Sequence, residues 1–258
     1  MLKSFTTVFS LLLFTFFVSA QDQPMPVTKM YVAHKPGLSI REKPDVNAKV
    51  LAKIPYGTQV SLTSTFTDTI LVRTDGFSSY FHKVTYGGKT GYIIGAYLLN
   101  MPPPKPTVKT LTDYLAQLSP KAGAAVEVKR GSMSYINEGG SSMKKQLYKN
   151  GAEHHQFTAY EYGSETWIIP EFSVQQAWLL LRLIPDWKHI LDEKTELPAA
   201  SKKVTRNNTE FDIKVEKENF YGPDWFKKIR IEYTDGAAYF IEIFLLENQV
   251  IIFNGSGV

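Results

Sequence analysis

The run from Lys227 to Phe253, "KKIRIEYTDGAAYFIEIFLLENQVIIF", constrains the chain more than any other part of it. Three apolar-rich segments are separated only by Asp235-Gly236 and Glu247-Asn248, connections too short for anything but hairpins. Just upstream Phe211, Ile213 and Val215 alternate with charged neighbours, the period-2 pattern of a strand with one buried face. An antiparallel meander with one apolar face needs a cover. "SVQQAWLLLRLIP" supplies it: Ser173 and Gln176 form a capping box, and Val174, Ala177, Trp178, Leu181 and Ile184 fall on one helical stripe. A further hairpin around Gly163 joins "QFTAYEY" to "ETWII". A shorter helix is predicted in "TLTDYLAQLSP", with Leu111, Tyr114, Leu115 and Leu118 on one face, Thr110 as cap and Pro120 as stop. Residues 110–258 are therefore expected to form an α+β domain, an antiparallel sheet packed by a helix. Asp186 to Asn208 reads as a connection from helix to loop.

"MPPPKPTVK", residues 101–109, favours an extended, semi-rigid polyproline linker over a packed element, and the domain boundary is placed there. Residues 27–100 read differently. Short strand-like runs ("MYVA", "GLSIR", "AKVLAKI", "TQVSLTS", "YFHKVTY", "TGYII") are punctuated by turn residues, which predicts an all-β barrel or sandwich. Its expected core includes Val32, Leu38, Ile40, Val60, Val84 and Ile94, with Tyr97-Leu98 plugging one end.

The first twenty residues hold one Lys3, an apolar block from Val8 to Val18 and small residues up to Ala20, the pattern of a secretory signal. Cleavage after Ala20 is expected, delivering a periplasmic or secreted product with no remaining membrane span. The alternative is an uncleaved anchor, for which the block is short. The chain has no cysteine, which excludes a disulfide framework and thiol chemistry. Its net charge of +4 is spread without a basic stripe, which argues against a nucleic-acid partner.

Taken in order, "GLSIREKPDVNAKVLAKIPYGTQV" and "GGKTGYIIGAYL" resemble the bacterial SH3-like (SH3b) family. The matching positions include Gly37, Leu38, Ile40, Arg41, Pro44, Gly57, Val60, Gly88, Gly91, Tyr92, Tyr97 and Leu98. The resemblance implies an SH3-like barrel, over about residues 27–100, of the kind found beside cell-wall enzymes or in envelope binding proteins. Two departures stand out: Phe81-His82-Lys83-Val84 replaces the usual Trp-x-x-Val, and the preceding loop "TSTFTDTILVRTDGFSSY" is long. The C-terminal domain resembles no recognised family.

Several local patterns imitate catalytic motifs. Lys89-Thr90-Gly91 and Ser141-x-x-Lys144 copy two elements of serine β-lactamases, but in reversed order and without S-D-N. His154-His155 is the only histidine pair, and neighbours on a strand point to opposite faces, so the two do not converge on one ion. Glu161 and Glu165 bracket a turn with a spacing that is weak as a glycosidase signal. Tyr160, Tyr162, Trp167, Phe220, Tyr221, Trp225 and Phe226 offer stacking faces that a β core would also bury.

No catalytic, metal or cofactor residues are assigned. The chain is read as an exported, non-enzymatic binding or envelope-associated protein. Tyr80, Phe81 and Tyr86, beside the loop from Thr63 to Ser79, are the expected ligand-binding aromatics, and a cell-wall polymer or envelope protein the expected partner. The alternative is a cell-wall hydrolase in which the barrel targets and the second domain cuts.

Overall fold

The computed structural model describes residues 28–62, 70–131, 139–218 and 223–258. The expected export signal, residues 1–20, lies outside the described residues, as do Phe220 and Tyr221. No helix among the described residues is long and apolar enough to cross a membrane.

The N-terminal part contains β1 (Thr28–Val32), β2 (Leu38–Arg41), β3 (Val50–Ile54), β4 (Gln59–Leu62), β5 (Leu71–Thr74), β6 (Phe77–Tyr86), β7 (Lys89–Ile94) and β8 (Leu98–Leu99). They form two antiparallel sheets, ordered β4-β1-β8 and β3-β2-β7-β6-β5. Val32, Leu38, Ile40, Val60 and Val84 are buried between them, as expected. Ile94 is not a core residue as expected: Ile93 is fully buried in its place. The register explains the one-residue difference, because Gly91 packs inward so closely that a Cβ there would lie 2.4 Å from the Arg41 carbonyl oxygen. The strand's inward positions are thus 91 and 93. Of the expected loop from Thr63 to Ser79, residues 63–69 lie outside the described residues, and beyond them β5 and β6 pair as a hairpin turning at Asp75-Gly76.

The expected spacer is packed. Pro103 and Pro104 are buried, and the carbonyls of Pro102, Pro103 and Pro104 accept hydrogen bonds from Tyr114 Oη, Gln117 Nε2 and Tyr56 Oη at 3.0, 3.1 and 2.9 Å. The segment runs extended, as its prolines require, while its carbonyls bind flanking elements on both sides. One hydrophobic core continues from the barrel residues Leu98 and Leu99 through Val108, Leu111 and Tyr114 into the second part.

The second part is also mostly β. Its nine-stranded antiparallel sheet is ordered β13-β14-β15-β16-β17-β12-β11-β10-β9. The strands are β9 (Val126–Arg130), β10 (Ser141–Leu147), β11 (Glu153–Ala159), β12 (Tyr162–Pro170), β13 (Lys202–Arg206), β14 (Thr209–Glu218), β15 (Trp225–Asp235), β16 (Ala237–Leu246) and β17 (Gln249–Gly257). Among the described residues two eight-residue α-helices accompany them, α1 (Leu111–Leu118) and α2 (Val174–Leu181), so the α+β description gives way to a large sheet with few helices. Both helices carry a capping box, on Thr110/Asp113 and Ser173/Gln176. In the expected connection after Asp186, residues Lys202–Arg206 form β13 at the sheet edge.

α2 buries Val174, Ala177, Trp178, Leu179, Leu180 and Leu181 over the apolar half of the sheet. The register creates continuous rows across the sheet. One runs Val215, Ile229, Ile243, Ile252, Trp167, His154, Gln146. The next runs Ile213, Ile231, Ile241, Asn254, Glu165, Gln156, Lys144. Both start apolar under α2, and the first turns polar beyond β17, the second at Asn254 on β17 itself. A single face of one sheet thus serves as core at one end and as a polar wall at the other.

Candidate functional site

At that polar end the sheet face opens into a cleft of about 530 Å³, with the start of α1 on one side. β10 contributes Lys144 and Gln146, β11 His154 and Gln156, β12 Glu165 and Trp167, and the first turn of α1 adds Thr112. Thr110, Lys121, Tyr148 and Asp186 complete the charged and hydroxyl-bearing lining. Strand alternation explains the grouping: every second residue of three adjacent strands faces the same side, and the register aligns them in two rows of three.

His154 is the centre. It is only 7 % exposed, its ring stacks on the Trp167 indole with centroids 5.4 Å apart and planes 7° apart, and Trp187 meets Trp167 edge-on at 6.2 Å. Trp167 Nε1–H donates to Thr112 Oγ1 at 3.0 Å, and the same hydroxyl lies 3.4 Å from His154 Nδ1. The Glu165 carboxylate facing Nε2 can only accept, which favours the neutral tautomer with its proton on Nε2. Nε2 lies 3.4 Å from Glu165 Oε1, within ion-pair reach yet not aligned as a hydrogen bond, so this buried nitrogen has no hydrogen-bond partner. The Glu165 carboxylate also accepts from Gln156 Nε2 at 2.8 Å. The neighbouring imidazole first, and then the Gln156 amide, hold its pKa below the usual carboxylate value, so it is ionised at neutral pH. A second buried polar atom, the Tyr148 hydroxyl, is likewise without a hydrogen-bond partner, although Tyr148 is 3 % exposed.

A hydroxyl, an imidazole and a carboxylate in line invite comparison with a nucleophilic triad. The Thr112 oxygen, however, is committed to the indole N–H, and its partner is Nδ1 of a ring clamped between Thr112 and Trp167. The arrangement fixes the imidazole as a directed donor. Among the described residues, no group of three or more His, Cys, Asp or Glu side chains is placed to hold a metal ion.

The other sequence candidates separate. His155 lies on the opposite face from His154, where Glu153 Oε2 is 2.7 Å from both His155 Nε2 and Lys145 Nζ. Ser141 and Lys144 are three apart on a strand and face opposite sides, which removes the S-x-x-K arrangement. Glu161 is exposed in the β11–β12 turn with φ +53°, while Glu165 enters the cleft. Of the expected binding aromatics, Phe81 is buried at 4 % exposure. Tyr80 and Tyr86 remain half-buried on β6, and none of the three lines the cleft. The residues that do line it were legible only in part: polar side chains occupy every second position of β10 and β11, where the meander strands carry isoleucine.

No curated protein and no solved structure compared with the chain matches it. The barrel is different: residues 36–98, about a quarter of the chain, match the family model of the bacterial SH3 domain, and that segment is a bacterial SH3 domain.

Proposed function

We propose that the protein is an exported binding protein of the bacterial envelope, with an SH3-like barrel at 27–100, a proline-rich connection at 101–109 and a sheet domain at 110–258 whose cleft holds the ligand without altering it covalently. The bacterial SH3 domain supports the envelope association, being typical of cell-wall-binding and envelope-associated proteins. The observation that carries the binding reading is the buried, hydrogen-bond-unpartnered Nε2 of His154 in a polar cleft. A buried polar atom left without a partner costs about 1–3 kcal/mol, a cost offset when a ligand supplies the missing acceptor. The exposed parts of Tyr80 and Tyr86 are a second contact surface in this reading.

Co-sedimentation of the full chain with purified cell-wall sacculi tests it. The protein is expected to pellet, to release no soluble wall fragments, and to lose at least tenfold in affinity on His154→Ala, measured at a temperature where its melt shows the variant folded. Release of fragments, abolished by His154→Ala or Glu165→Gln, would make it a hydrolase instead.

A further inference from the structure

We propose, building on the binding role of the cleft, that its ligand is a small zwitterion: a free amino acid or short peptide carrying both its amino and its carboxylate terminus. The lining has charges of both signs and places them apart. Lys144 and Glu165 belong to the same sheet row with Gln156 between them, so their backbones are two strand spacings apart, about 9.5 Å. Two extended residues span about 7 Å, leaving room for a side chain to close on each terminus.

The two charges do not neutralise one another. Glu165 is occupied on its Oε1 by Gln156 and faced by His154, and no ion pair among the described residues involves Lys144, Lys121 or Asp186. One carboxylate and one ammonium are therefore available along the wall, repeated by Asp186 and Lys121 at the rim. A ligand of one sign would meet a repelling partner for each attracting one. A zwitterion satisfies both, and its peptide or carboxylate oxygens can give His154 Nε2–H an aligned acceptor where Glu165 Oε1, 3.4 Å away, is not aligned. The Tyr148 hydroxyl gains a partner in the same way.

A neutral sugar fits less well. Sugar sites offer an open aromatic face, whereas Trp167 is 4 % exposed, with His154 stacked on its ring and Trp187 edge-on to it. The cleft offers polar edges rather than a stacking platform.

The test is calorimetric titration of the full chain with alanine and with alanyl-alanine of either hand, each free, N-acetylated and C-amidated, and with a neutral tetrasaccharide. Free alanyl-alanine is expected to bind, and either cap to weaken it at least tenfold. Glu165→Gln is expected to erase the penalty for the N-acetyl group and Lys144→Met that for the amide, each leaving the other penalty in place. Should a variant fail to fold, the capped series on the wild type decides alone. Equal binding of free and doubly capped peptide, binding of the tetrasaccharide in their place, or no binding of any free form would overturn the zwitterion. If sacculus binding still depended on His154 in those cases, the cleft's binding role would stand. Sacculus binding indifferent to His154→Ala would remove that role itself.

Discussion

Gly76→Ala probes the contact between the barrel and the large sheet more sharply than any other single change. Gly76 sits at the tip of the β5–β6 hairpin with φ +77°, and an added Cβ would lie 1.9 Å from the Leu197 carbonyl oxygen. Being backbone, that oxygen has no rotamer by which to yield, so the hairpin must withdraw. Withdrawal breaks the Leu197 N–H to Asp75 carbonyl bond of 2.9 Å and separates Asp75 from the buried Arg182, 3.4 Å away. The left-handed backbone costs about 1–2 kcal/mol for alanine. The lost hydrogen bond adds about 1 kcal/mol. The Asp75 carboxylate is 41 % exposed, which limits the ion-pair loss to about 1 kcal/mol, while Arg182 keeps its bond to the Glu193 carbonyl. The sum is about 3–4 kcal/mol, or roughly 6–16 °C in Tm for a chain of this size. Gly57→Ala is the control: φ is +78°, but nothing lies within 4 Å of the new Cβ, so only the backbone cost of about 1–2 kcal/mol applies. Calorimetric melts of the two variants isolate the docking contribution as their difference, about 2 kcal/mol. Equal melts would refute the reasoning, because the hairpin would then not be seated on Leu197 in solution.

Tyr148→Phe removes a buried hydroxyl with no hydrogen-bond partner, so the free protein should melt unchanged or slightly higher while ligand affinity falls; a loss of stability above about 1 kcal/mol would mean the hydroxyl is satisfied. Trp178→Ala empties the centre of α2, fully buried over the sheet, and should lower the denaturant midpoint by the equivalent of about 3–5 kcal/mol. Tyr56→Phe deletes the bond to the Pro104 carbonyl and should cost about 1 kcal/mol by the same measurement, a null effect showing the proline segment to be loosely held. Because the folded-state pKa of Glu165 is depressed, its stabilising contribution is present above the ordinary Glu value of about 4.3 and is lost as pH falls through the folded-state value. The stability difference between wild type and Glu165→Gln, followed by urea melts from neutral pH into acid, should therefore shrink on acidification.

The sheet was readable from local pattern because its determinants are local. Within each strand the isoleucines (Ile229 and Ile231, Ile241 and Ile243) recur every second residue, and Ser173 and Gln176, three apart, announce α2 where its apolar stripe begins at Val174. The errors came where a distant neighbour reverses a local preference. Ile94 and Ile93 are equivalent in sequence, and the approach of Gly91 to Arg41 decides which one faces inward. The prolines at 102–104 specify an extended chain but not what binds their carbonyls, and Tyr56 and Gln117 lie far off in sequence.

The cleft was hidden for a related reason. It takes two residues from each of three strands and one from α1, so no spacing within a single segment encodes it. Its trace in the sequence is a contrast between segments: Lys144, Gln146, His154, Gln156 and Glu165 occupy the positions, in register, that isoleucines fill in β15 and β16. Polar residues at inward positions are ordinarily a sign that the face is open to water. Lys144 and Gln156 are indeed exposed, but His154 and Tyr148 are buried, and their Nε2 and hydroxyl without hydrogen-bond partners are costly to the free protein. A sheet that keeps such a row beside a packed apolar one has its polar end shaped by something other than its own stability, and a ligand able to complete the pairing accounts for it.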